Sequence, residues 1–253
     1  MAEPGLYLYA VSRGLDPSAL AGQVGIDDAP LLVVSDAGLD AVVSAVDLDE
    51  FGEEGLRRNL EDLAWLERVA RGHDEAVHAI ARHGPTAPLR LATVCLDDGA
   101  VRGRLGEWHD QLSAALDRVQ GRSEWSVKLV APVRQEASTV EAAAGPGSGA
   151  AYLQRKRQQS EQRLTEEQEA VQEAERVYRW LAGLSVASRR LQPQDARLSG
   201  HHGLMTLNAA FLVADDRAEA FSDAVTEVSA GVTSELQVAG PWPPYSFATL
   251  ETP

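Results

Sequence analysis

From Trp125 onward, the periodicity of apolar residues changes in the order strand, helix, strand, strand, helix, strand, and no other feature narrows the fold as far. Trp125 to Val130 alternates with a period of two, as a half-buried strand does. A polar helix from about Ala150 to Leu184 follows, then strands over Val186–Leu191 and the strongly apolar Leu204–Ala214. Asp215 is placed to cap a helix running to about Gly231, and Leu236–Ala239 reads as a last strand. That order is the split βαβ, ferredoxin-like pattern.

The first half reads as mixed α and β. Leu6–Val11, with Tyr7 and Tyr9 alternating, suits a strand. Leu31–Val34 and Leu39–Val46, joined by Asp36-Ala37-Gly38, suit a hairpin. The acidic run Asp47–Glu54 introduces a helix expected over Leu56–Arg82, its apolar face formed by Leu56, Leu60, Leu63, Trp65, Leu66, Val69, Val77 and Ile80. Gly84-Pro85 ends it; a strand is expected over Pro88–Val94 and a helix over Ala100–Val119, with Leu105, Trp108, Leu112, Leu116 and Val119 inward. The expected architecture is α+β with two domains, residues 1–121 and 122–253. A flexible, small-residue insert over about 136–149 precedes the long polar helix. That helix opens with Arg155, Lys156, Arg157 and Arg163 and continues with five glutamates, the reverse of the dipole preference.

Acids outnumber bases 38 to 23, a net charge of −15, with net −11 lying before Gly145. Binding to nucleic acid or to an anionic membrane needs a basic face, so both are disfavoured. No apolar run approaches the roughly 20 residues that span a bilayer, and the opening residues do not resemble a secretory signal. Cys95 is the single cysteine, which fits a reducing cytoplasm. Arginine at 21 positions against two lysines suits a GC-rich bacterial genome.

The motifs that carry chemistry elsewhere are incomplete here. His73 and His78 are five apart, about 140° around a helix, whereas a zincin pair needs four. His83 repeats the wrong spacing, so these read as surface or interface histidines; His201 and His202 lack a further ligand at metal spacing. Gly145-Pro-Gly-Ser-Gly-Ala150 fits a relaxed dinucleotide fingerprint, but no strand leads into it. Cys95 precedes Asp97 and Asp98, whose charge opposes a thiolate. Asp47 and Asp49 read as helix-start acids, and the Arg155–Arg163 cluster lacks interleaved aromatics for stacking bases. No enzyme emerges, and no cofactor or metal is expected.

Gly-Pro-Trp-Pro-Pro-Tyr-Ser-Phe at 240–247 stands apart, because its prolines restrict the backbone and its aromatics offer large contact surfaces. It reads either as a terminal strand folded on its own domain or as a preorganised patch for a partner. The segment resembles the C-terminal signature of the gas vesicle protein F/L family. Asp62-Leu-Ala-Trp65-Leu-Glu-Arg-Val with His73-Asp74, Pro88-Leu-Arg-Leu-Ala-Thr-Val94, Ala151-Tyr152-Leu153 and Leu207-Asn-Ala-Ala-Phe-Leu-Val213 agree in order. Cys95 and Gly72 depart from it, where an aromatic and an alanine are more typical.

The resemblance implies a family-specific N-terminal fold and a modified ferredoxin-like C-terminal domain. It also implies a non-enzymatic accessory or minor component that engages the main gas vesicle shell protein, and contacts with other accessory proteins, in the cytoplasm or on the vesicle. The F and L subtypes stay open. Candidate contact residues are Trp242, Pro243, Tyr245 and Phe247, or an exposed face around Trp65 and His73. The alternative from another class is a ferredoxin-like regulatory domain that binds a small molecule.

Overall fold

Tyr7 through Ser12 are all buried, the pattern of a strand covered on both faces. They belong to β1 (Pro4–Ser12), the strand around which the N-terminal part of the chain is arranged. The computed structural model describes residues 4–132, 148–193 and 203–248 and combines helix with sheet. It divides into two compact units, Met1–Glu124 with Pro241–Pro253, and Trp125–Gly240. The first cut lies beyond the expected 121/122 boundary, and the segment from Pro241 returns to the first unit instead of ending the second. All but the last two residues of the expected insert at 136–149 lie outside the described residues, as do His201, His202 and Gly145.

In the first unit, β2 (Leu32–Asp36) and β3 (Leu39–Asp47) form the expected hairpin, with Ala37 at φ 49° and Gly38 at φ 80° supplying its tight turn. The antiparallel order is β2-β3-β1-β4, where β4 is Thr86–Pro88, and β5 (Val94–Cys95) also pairs with β1. Pro88–Val94 is therefore two short strands rather than the single one expected. Thr93 N–H and its hydroxyl both turn back to the Arg90 carbonyl, and Ala92 adopts φ 62°, so the chain leaves the sheet at 90–92 and rejoins it.

The helix expected over 56–82 is also broken. The single turn α1 (Leu48–Phe51) and α2 (Glu53–Asn59) precede α3 (Leu63–Ala81). Asp62 starts α3 by accepting from Ala64 N–H at 2.9 Å and Trp65 N–H at 3.3 Å, a local cap that outcompetes continuous periodicity. Leu63 is consequently 80% exposed. Asp47 similarly caps α1 through Asp49 N–H. The helix expected over 100–119 divides at Trp108 into α4 (Asp98–Glu107) and α5 (His109–Val119), shortly after Gly103 and Gly106 of α4.

Gly72, an apparent weak point in α3, has a packing reason. A Cβ there would lie 3.2 Å from Ile26 Cα and Cγ1. Ile26 cannot easily retreat, because its N–H donates to Tyr9 Oη at 2.8 Å and Asp27 and Asp28 follow it at φ 55° and 57°. Gly72→Ala is thus expected to lower stability by about 1 kcal/mol net, an overpacking cost of about 2 kcal/mol reduced by a helix-propensity gain of about 1 kcal/mol. Urea denaturation checks the sign; a stabilised variant would mean that the Ile26 turn gives way.

The second unit is built on β6 (Arg122–Pro132), α6 (Ser148–Leu184), β7 (Ala187–Arg190), β8 (Gly203–Ala214), α7 (Ala218–Gly231) and β9 (Glu235–Trp242). Its sheet order, β7-β8-β6-β9, is the ferredoxin-like arrangement expected from the element order. Trp125, Val127 and Leu129 of β6 and Leu207, Ala209, Phe211 and Val213 of β8 turn one face toward Ala174, Val177 and Leu181 of α6 and Phe221, Val225 and Val228 of α7. Asp215 does not cap α7: residues 215–217 form a 3₁₀ turn, and Arg217 holds the cap position without a side-chain bond. Every described side chain from Leu153 to Thr165 is exposed.

Candidate functional site

The distinctive C-terminal segment is anchored residue by residue in the first unit. Pro243 O accepts from Tyr245 N–H, and Pro244 O accepts from Phe247 and Ala248 N–H, winding the chain into the single turn α8 (Tyr245–Ala248). The Glu124 carboxylate takes both Ser246 N–H and Ser246 Oγ–H at 2.7 Å. Arg118 Nη1 donates to Phe247 O at 2.9 Å, closing the other end of the turn. Pro243, Pro244, Phe247 and Ala248 are buried. Tyr245 is partly buried and donates its hydroxyl to Asp74 Oδ1 at 3.2 Å.

Beneath Tyr245 lies an aromatic cluster from β1, α1 and α3. Tyr7 stacks at 4.9 Å from Tyr9, 5.8 Å from Phe51 and 5.7 Å from His73. Tyr245 lies 6.4 Å from His73, centroid to centroid. Ala92 N–H donates to Tyr7 Oη at 3.0 Å, which leaves the phenol proton for His73 Nδ1, also at 3.0 Å. His73 bonds the Leu89 carbonyl as well, so Nε2 carries the ring proton and both nitrogens are satisfied. Burial lowers the His73 pKa to about 4, against smaller opposing effects from Asp74 and that carbonyl. Burial likewise pushes the Tyr7 and Tyr245 phenols upward. The cluster is neutral near pH 7, with its bonds directed to the fold.

The six sequence candidates therefore separate. Trp65 is 7% and His73 4% exposed, which corrects the expectation of an open face around them. Both occupy the inward stripe of α3, where Trp65 Nε1 also donates to Glu50. Pro243 and Phe247 are interior anchors, and Tyr245 is committed to Asp74 and the His73 cluster. Trp242 alone of the six is exposed, at 43%, with its ring edge-on to His78 at 5.2 Å. The aromatic segment thus combines a buried foot with one displayed indole. Sequence reading missed the residues that hold it, Glu124, Arg118 and Asp74; a carboxylate at the start of a strand carries no local sign of distant donors.

Other candidates resolve as structural. Cys95 is buried, and that burial, more than Asp97, raises its thiol pKa, while Arg104 opposes it. Asp47 is a helix cap. Among the described residues, no group of three or more His, Cys, Asp or Glu side chains could hold a metal ion. Among them also, no helix is long and apolar enough to cross a membrane.

Similarity to known proteins extends over nearly the whole chain. Residues 5–249 match the family model described as gas vesicle synthesis protein GvpL/GvpF. Gas vesicle protein L of a Streptomyces species is 41% identical over 248 residues, covering 96% of this chain and 92% of that protein. Gas vesicle protein F of the same strain is 26% identical over 95% of this chain and 98% of its own length. The crystal structure of GvpF from an Anabaena species shares the fold, with a TM-score of 0.68 at 19% identity over 98% of this chain and 99% of that one. The chain is a member of the GvpL/GvpF family of gas vesicle synthesis proteins.

Proposed function

We propose that this protein assists gas vesicle formation without catalysing a reaction, by binding the main gas vesicle shell protein during assembly or as a minor vesicle component. The observation that carries the reading is Trp242, 43% exposed on a proline-framed segment whose other end is buried. A preorganised indole gives apolar contact at little entropic cost, and aromatic anchors dominate protein interfaces. The net charge of −15 opposes self-aggregation while an apolar client is held, and opposes nucleic-acid and anionic-membrane binding. Other gas vesicle accessory proteins are further partners in this reading, which places the protein in the cytoplasm and on the vesicle.

The groove of about 660 Å³ in the second unit is walled largely by Arg163, Glu166, Glu169, Glu173 and Arg176. Its lining mixes these charged groups with Ala131, Pro132, Ala170 and Leu204, and the Glu173 carboxylate is already committed to Thr233 and Ser234, so it lends little to the regulatory-ligand alternative.

Co-expression with the shell protein from the same genome, affinity capture and size analysis test the proposal. A stoichiometric soluble complex is expected, weakened about tenfold or more by Trp242→Ala. Tyr245 is unsuitable for the test, because its replacement disturbs the His73 cluster. Failure of two soluble, folded proteins to associate would move the partner elsewhere. Unchanged affinity of the Trp242 variant would remove this surface.

A further inference from the structure

The exposed half of α6 carries half of a helix-pairing seam. Leu153, Leu164 and Val171 are 64%, 56% and 55% exposed. Their spacings of 11 and 7 residues bring them within about 20° of one line along the helix. Arg157, Ser160 and Glu167 fill the intervening seam positions, and the same alternation of four and three continues to Ala174, Tyr178 and Leu181. Those last three pack in the core of the second unit, whereas the earlier part of the seam faces solvent. Most helical stability in proteins comes from packing of an apolar face, which this half of α6 lacks within the unit.

We propose that residues 153–171 of α6 pair with the same residues of a second copy of this chain, in antiparallel orientation. Charge selects that occupant. Antiparallel pairing sets Leu153 against Val171, Arg157 against Glu167 and Ser160 against Leu164 of the second copy, and the two-fold axis repeats each pair. Both seam charges thereby meet opposite charge, and Leu153 meets Val171 at each end of the seam. In a parallel, in-register pair, Arg157 faces Arg157 and Glu167 faces Glu167, an arrangement that e/g and seam charges normally exclude. Glu161 and Arg163 approach their own counterparts only at the flanks, where solvent and salt screen them.

The purified full chain provides the test, by sedimentation velocity across a concentration series. A reversible monomer–dimer equilibrium is expected. Arg157→Glu or Glu167→Arg should each raise the dimer dissociation constant roughly a hundredfold, since symmetry breaks two pairs at once. The double exchange R157E/E167R should restore it to within a few-fold. All these positions are exposed, so circular dichroism should show an unchanged fold. Oxidation of a Leu153→Cys/Val171→Cys double variant should give a covalent dimer, while each single variant should give none, because identical positions lie about 27 Å apart. A chain that stays monomeric at every concentration would overturn the proposal, as would single-cysteine cross-links, which mark parallel pairing. Loss of dimer without rescue by the double exchange would overturn the proposed register. None of these readouts depends on Trp242 or on shell-protein binding.

Discussion

Lowering the pH from 7 to 4 is expected to remove about 3 kcal/mol of folding stability through His73 alone. In the folded protein burial holds this imidazole neutral, with its pKa near 4; in the unfolded chain it titrates near its ordinary 6.5. Between those values the unfolded state binds more protons, so stability rises with pH across the interval. The contribution is fully present above about pH 7, falls as the pH drops below 6.5, and levels off below about 4. Glu173 also loses a stabilising ionised form in acid, so the wild-type curve contains more than one group. Urea unfolding of wild type and His73→Asn from pH 7 to 4 isolates the histidine: the variant should be less stable at pH 7, with a clearly shallower slope. Parallel curves would show that burial does not depress the His73 pKa in the folded protein.

Glu173→Ala should cost about 3–4 kcal/mol, the largest loss expected from a single polar residue here. The carboxylate is 6% exposed and sits on the inward side of α6. It accepts from Thr233 N–H at 2.8 Å, Thr233 Oγ1–H at 3.1 Å and Ser234 N–H at 3.1 Å. Burial alone would raise its pKa, but the bonds from Ser234 and Thr233 outweigh that and hold it below the ordinary value. Alanine leaves two backbone donors at the turn between α7 and β9 without their acceptor. Glu173→Gln tests the assignment, because its amide keeps one acceptor but brings a donor against a donor. Its stability should fall between those of wild type and alanine. Thermal unfolding monitored by circular dichroism ranks the three, and equal midpoints for wild type and alanine would rule out this role.

Alternation and helical spacing made the strands and the order of the second unit legible, because these follow from which face must be buried. They also placed the inward residues Trp65, Val69, Val77 and Ile80 of α3. The errors fall where local chemistry competes with periodicity. Asp62 starts α3 three residues after α2 stops at Asn59, and Ala92 takes a left-handed conformation between two strands that periodicity merges. His73 was readable as interior, four residues after Val69 and four before Val77 on the same stripe. Its outward reading followed from residue type, which is a weaker guide than position. Glu124 and Glu173 had no such signal. A carboxylate becomes an interior residue when donors arrive from 122 and 60 residues away, and nothing adjacent in the chain records that meeting.

The pinning of Ser246 to Glu124 also fixes an order of events during synthesis. Residues 241–248 are translated after the entire second unit, yet they supply Tyr245 and Phe247 to the first. A chain emerging from the ribosome must therefore hold the first unit unfinished while about 116 intervening residues are made. Early folding of those residues would replace a long flexible excursion by a compact insert and reduce the entropy cost of closing the loop. The C-terminal turn then acts as a latch that closes last, so a chain interrupted before it carries a first unit with an open core.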